Sequence, residues 1–100
     1  RLLRVIVEDS QEHRVEACAR HLAAVLEAVL AEHSAGHAVQ VLGPAPAPMA
    51  VLRGRHRQHL LIKAPLREAS FSRLRATLVE LAAEQARPRV TIDVDPVGLL

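Results

Sequence analysis

An α+β sandwich, with two helices on one face of a four-stranded sheet, is the fold class this sequence predicts. Three observations predict it. Four short runs are β-branched or alternate at period two, and two longer runs carry apolar residues at three-four spacing. The runs follow one another in the order β-α-β-β-α-β. The chain has 100 residues, half of them hydrophobic, which suits one folded domain (residues 1–100) around one modest core.

The first strand is "LLRVIVE", Leu2 to Glu8. Asp9-Ser10 then offers a helix N-cap, and Gln11 and Glu12 place acceptors and negative charge in the first turn. Val15, Cys18, Leu22, Val25, Leu26, Val29 and His33 form one apolar stripe on a helix of more than five turns. Ser34-Ala35-Gly36 is the expected stop, with Gly36 able to take a left-handed cap.

"AVQVL", Ala38 to Leu42, reads as the second strand. The "GPAPAPMA" that follows predicts a stiff, extended loop rather than more strand, because three prolines lack the amide hydrogen that a ladder uses. Arg57 to Ala64 reads as the third strand, pairing with the second, and Pro65 ends it. Glu68 or Ser70 opens a second helix, with Phe71, Leu74, Leu78, Leu81 and Ala82 on one face. Arg87-Pro88 ends that helix, since a residue before proline avoids the helical region. "RVTIDVD" is the fourth strand, with Val90, Ile92 and Val94 on one face and Arg89, Thr91, Asp93 and Asp95 on the other. Two right-handed crossovers in this order give the ferredoxin-like arrangement.

Composition narrows the function. Phe71 is the one Phe, Trp or Tyr residue, so the core is aliphatic and base stacking on protein rings is nearly excluded. Cys18 is the one cysteine and cannot pair within the chain, in keeping with a reducing, cytoplasmic setting. No apolar run approaches the ~20 residues of a membrane span, and no signal peptide is visible. The chain opens at Arg1 straight into a strand-like run, and reads as a piece of a longer protein.

Charge is uneven. From Arg53 to Arg75, seven bases face Glu68 alone, a local +6; six bases and ten acids elsewhere leave −4. Such polarity concerns partners rather than fold. "RGRHR" starts the tract, and an extended backbone would aim Arg53, Arg55 and Arg57 the same way. Guanidinium forks suit phosphates and carboxylates, so these three, with Lys63 and Arg67, are the candidate binding residues.

Other chemistry is poorly supported. His56 and His59, three apart on a strand, fall on opposite faces, and His33 and His37 straddle a helix stop, so no metal site is expected. Asp93 and Asp95 share a strand face but lack the apolar surroundings a general acid needs; capping turns or meeting arginines across the sheet is the expected role. Cys18 lies on the apolar helix stripe and reads as an inert core thiol, and Ser70 and Ser72 as caps. The four glycines are isolated, so there is no phosphate loop, and no catalytic constellation is found.

"VQVLGPAPAPMAVLRGRHRQHLLIKAP", followed by "VTIDVDPVGLL", resembles the C-terminal domain family of primosomal protein N′ (PriA), the replication-restart helicases. The Gly-Pro-x-Pro-Ala-Pro loop, the Arg-Gly-Arg-x-Arg turn and the Asp-Val-Asp-Pro end carry the likeness, and together they span the second half of the chain. The resemblance implies a non-enzymatic DNA-binding module. Its parent would be an ATP-dependent 3′–5′ DNA helicase acting at stalled forks, with ATP and zinc held outside this domain; some lineages of the family lack working ATPase motifs. The partners implied are single-stranded or forked DNA, the helicase core of the same chain, and the acidic tail of single-stranded-DNA-binding protein, with no membrane. Arg67 matches the family arginine near the tail site. Where the family often carries Tyr or Trp in the arginine strand, this chain has His56 and Gln58, so its contacts lean on charge. The alternatives are a ferredoxin-like regulatory domain that binds a small ligand or dimerises, and an RNA-binding ribosomal-like domain.

Overall fold

The computed structural model describes residues 2–33, 40–63, 68–84 and 87–94. The elements are β1 (Leu2–Asp9), α1 (Glu12–His33), β2 (Gln40–Leu52), β3 (Arg55–Lys63), α2 (Glu68–Ala83) and β4 (Arg89–Val94). All pairings are antiparallel, in the order β2-β3-β1-β4. The ferredoxin-like arrangement is therefore present, and β2 and β4 form its edges.

Period two divides each strand between two faces. Leu3, Val5 and Val7 of β1 point to the helices, joined by Leu60 and Ile62 of β3. Val90, Ile92 and Val94 of β4 pack against the same cluster, on the face the alternation predicts. From α1 come Val15, Cys18, Ala19, Leu22, Ala23, Leu26 and Leu30, and from α2 come Leu74 and Leu78. Both helices thus cover one face of the sheet. The α1 stripe leans further than its spacing suggests: Ala19, Ala23 and Leu30 are buried, while Val25 and Val29 are half-buried. Cys18 sits in this core, and burial pushes its thiol pKa up. The side chains of His33 and Phe71, and Ser34, Ala35, Gly36, His37, Ala38, Ala64, Pro65 and Asp95, lie outside the described residues.

The cap of α1 falls one residue later than Asp9-Ser10. The Gln11 carbonyl accepts from the Arg14 and Val15 amides at 3.1 and 3.3 Å, so Gln11 is the cap. Asp9, only 4% exposed, turns the chain into it: its Oδ2 accepts the Gln11 amide at 3.0 Å.

The proline segment is strand, not loop. β2 runs through Pro44, Pro46 and Pro48 to Leu52, with register shifts between Leu42 and Ala45 and between Pro46 and Val51. An edge strand bonds on one side only, and residues two apart turn their nitrogens to the same side, so this spacing is compatible with a one-sided ladder. Gly43 makes the first shift possible. Its φ is +103°, and a Cβ there would stand 2.7 Å from the His59 carbonyl oxygen.

β3 likewise starts earlier than Arg57. Arg53 and Gly54, with φ of 53° and 76°, form a two-residue hairpin turn that pairs Leu52 with Arg55. Two consecutive positive φ values match the hairpin's right-handed twist.

Candidate functional site

The face away from the helices carries the charge. It presents Arg4, Ile6 and Glu8 from β1, Arg55, Arg57, His59, Leu61 and Lys63 from β3, and Arg89, Thr91 and Asp93 from β4, as the register dictates. Five cations and two carboxylates meet there.

At one end, three arginines surround one carboxylate. Glu8 pairs across the strands with Arg57 on one side and Arg89 on the other. Its carboxylate lies 3.5 Å from Arg89 Nη1, 3.8 Å from Arg57 Nε and 4.0 Å from Arg55 Nε. Arg55 Nη2 also donates to the Glu8 carbonyl at 3.4 Å, and Arg57 Nη1 to the Met49 carbonyl at 3.3 Å. One negative charge cannot neutralise three positive ones, so this end stays cationic.

The candidate residues are therefore not equivalent. Arg53 sits in the turn, off the strand and exposed, so the three arginines of "RGRHR" do not aim one way. Arg55 has a half-exposed side chain, whereas that of Arg57 is only 10% exposed. Lys63 is exposed at the far end of β3, roughly 20 Å from Arg57 at about 3.3 Å per residue. Arg67 lies outside the described residues.

Sequence reasoning missed Arg4 and Glu8 as parts of this face; it read Arg89 as outward on β4 but did not count it among the binding residues. The even, four-residue spacing of Arg4 and Glu8 signals that they share a strand face, but only strand order brings Glu8 against Arg57 and Arg89. Arg4 Nη2 meets Asp93 Oδ2 at 3.0 Å, the cross-sheet arginine contact expected for that aspartate. His59 lies among these charges; its pKa is pushed down by burial first, then by Arg4 and Arg57. His56, paired with Asp9, points to the opposite face.

Behind the hairpin, a cleft of about 100 Å³ lies between Glu12 and Val15 of α1 and Pro46, Ala50 and Val51 of β2. Small-molecule sites run to roughly 300–1,000 Å³, so it is too small for a nucleotide. Among the described residues, no three His, Cys, Asp or Glu side chains group as metal ligands, and no helix is long and apolar enough to cross a membrane.

The fold and this face define a class: a ferredoxin-like α+β domain whose open sheet surface is cationic. The family model for the primosomal protein N C-terminal domain matches residues 1–97, and the chain belongs to that family. No curated protein matches the chain. Membership supports a primosomal, replication-restart role, and a C-terminal module of such a protein fits a non-catalytic part in it.

Proposed function

We propose that this domain binds DNA at replication forks through the cationic end of its open sheet face. The observation that carries the reading is the three-to-one gathering of Arg55, Arg57 and Arg89 around Glu8, with Arg53 beside them in the turn. Arg53, Arg55 and Arg89 supply reachable guanidiniums for a phosphate backbone. Arg57, largely buried, ties the two arms of the hairpin together through the Met49 carbonyl and adds field rather than reach. Lys63 is a separate contact at the far end of the face, and Arg67, four residues on, is the proposed contact for the acidic tail of single-stranded-DNA-binding protein. The parent would supply ATP-dependent helicase activity and zinc in its other domains, its helicase core would share the DNA, and the work would belong to the cytoplasm beside the nucleoid.

Fluorescence anisotropy with labelled single-stranded and forked DNA across a salt series tests this. Each phosphate contact on a single strand adds about −0.7 to the slope of log K against log salt, so three contacts give about −2. Reversing Arg53, Arg55 and Arg89 to Glu together should abolish measurable binding at moderate salt. Unchanged affinity in that variant would remove the assignment. An Arg67→Ala variant should lose binding to an acidic tail peptide while retaining DNA.

A further inference from the structure

Glu8 stands among three guanidiniums, yet it satisfies none of them. Its carboxylate is 3.5 Å from Arg89 Nη1, 3.8 Å from Arg57 Nε and 4.0 Å from Arg55 Nε. A protein N–H···O hydrogen bond spans roughly 2.7–3.2 Å, so each contact is an attraction between charges without a bond. The Nε atoms of Arg55 and Arg57 are buried and have no hydrogen-bond partner.

An arginine and a carboxylate that belong to each other form two parallel bonds. Here Arg55 and Arg57 approach the same oxygen, Oε2, and Arg89 approaches Oε1. Two oxygens cannot give three forks a bidentate seat each. The carboxylate is shared, and each guanidinium is held loosely.

The four side chains differ in freedom. Glu8 is on β1, between β3 and β4, and its side chain is only 17% exposed. Arg57 is confined as well, with its Nη1 on the Met49 carbonyl. Arg89 and Arg55 are 70% and 42% exposed. These two can turn toward a ligand in solvent while Glu8 stays below them. The Glu8 charge then acts in two ways: it relieves repulsion among the arginines when the face is empty, and it opposes any anion that comes to them.

We infer that Glu8 sets the strength of phosphate binding at this end of the sheet, as an internal anion that a DNA phosphate displaces from Arg55 and Arg89. Arg57 remains with Glu8 and the Met49 carbonyl. The inference rests on the reading of the arginine cluster as a DNA surface, and it adds that the surface is restrained from within. Glu8 touches no ligand; it acts through the two arginines it holds.

The test compares Glu8→Gln with the unmodified chain by fluorescence anisotropy on a labelled oligothymidylate at fixed salt. Glutamine keeps the shape and removes the charge, so the variant should bind about fivefold more tightly, the effect of one charge a few ångströms from a phosphate in a wet site. Glu80→Gln makes the same change in net charge on the exposed side of α2, and should move affinity less than about twofold. Weaker binding by Glu8→Gln would mean that the carboxylate positions the arginines for DNA, and overturns the inference. Equal gains from both variants would reduce it to bulk charge and overturn it too. So would tighter binding of an acidic peptide without tighter binding of DNA. A second measurement needs no variant, should Glu8→Gln unfold: the Glu8 carboxyl carbon resonance, followed by NMR as oligothymidylate is added to the unmodified chain. It should shift to saturation while that of Glu80 stays still, and a static Glu8 resonance on a chain saturated with DNA overturns the displacement. If neither protein binds DNA even at low salt, the reading of the face falls and the inference with it; binding of equal strength by both removes the inference alone.

Discussion

The two faces of this sheet are both tightly buried in places, and they are built from opposite materials. On the helix side, Leu3, Val5, Val7, Leu60 and Ile62 are nearly inaccessible and belong to one apolar cluster. On the open side, Ile6 and Arg4 are 7% and 5% exposed, but their cross-strand neighbours are His59 and Thr91 for Ile6, and Leu61 and Asp93 for Arg4. The helix face gains stability from area removed from water, which is non-directional and tolerant of imperfect geometry. The open face depends on partner geometry: Arg4, Arg57 and Glu8 are largely desolvated, and several donors go unanswered. One face is built for stability, and the other keeps binding capacity unspent.

This contrast can be broken most forcefully from the apolar side. Leu60→Ala removes a side chain with 0% exposure from the centre of the core, and should cost about 2–5 kcal/mol in urea unfolding. A ligand bound on the open face should raise the midpoints of variant and parent alike and leave their difference unchanged, because the cavity lies on the other face.

Next comes the backbone joint between the two sides. Gly43→Ala forces a Cβ to within 2.7 Å of the His59 carbonyl oxygen at a φ of +103°, so β2 must shift. About 1–3 kcal/mol of destabilisation is expected, seen as a lower urea midpoint and faster hydrogen exchange in the β2–β3 hairpin. Exchange in β1 and β4 that accelerates equally would mean the strain is not local.

On the charged face, Asp93→Ala strips Arg4 of its hydrogen-bonding carboxylate. The aspartate side chain is 44% exposed, which discounts the pair, so about 1–2 kcal/mol is the expected loss.

The smallest effect is on pH dependence. The folded pKa of His59 lies below its unfolded value near 6.5, so between the two values the unfolded chain holds more protons. Stability should therefore rise with pH through that window. The penalty is complete below the folded pKa and absent above the unfolded one. His59→Gln should flatten the slope of the urea midpoint against pH there; an unaltered slope would assign it to other groups.

Much of this was legible in the sequence. The alternation of "RVTIDVD" placed Val90, Ile92 and Val94 inward and Arg89, Thr91 and Asp93 outward, because period two is a property of the strand itself. Cys18 read as a core thiol because it kept the helix spacing, and it is buried. The proline segment was misread for an equally physical reason. Missing amides exclude a central strand, but they are tolerable at an edge, and whether β2 is an edge depends on strand order rather than on its own residues.

The basic tract shows the same division. Local sequence determined that Arg55 and Arg57 share a face and that a two-residue turn with glycine precedes them. It also determined the aliphatic core, the element order and the polarity of charge, since these depend on composition and on periods of a few residues. Only the tertiary structure decided that Glu8 and Arg89 join Arg55 and Arg57, that Lys63 lies at the far end, and that Arg4 is buried beside His59. These contacts join residues 47 to 81 positions apart through hydrogen-bond register. Register follows from how the apolar faces and turns of the whole sheet fit together, so no single segment encodes it.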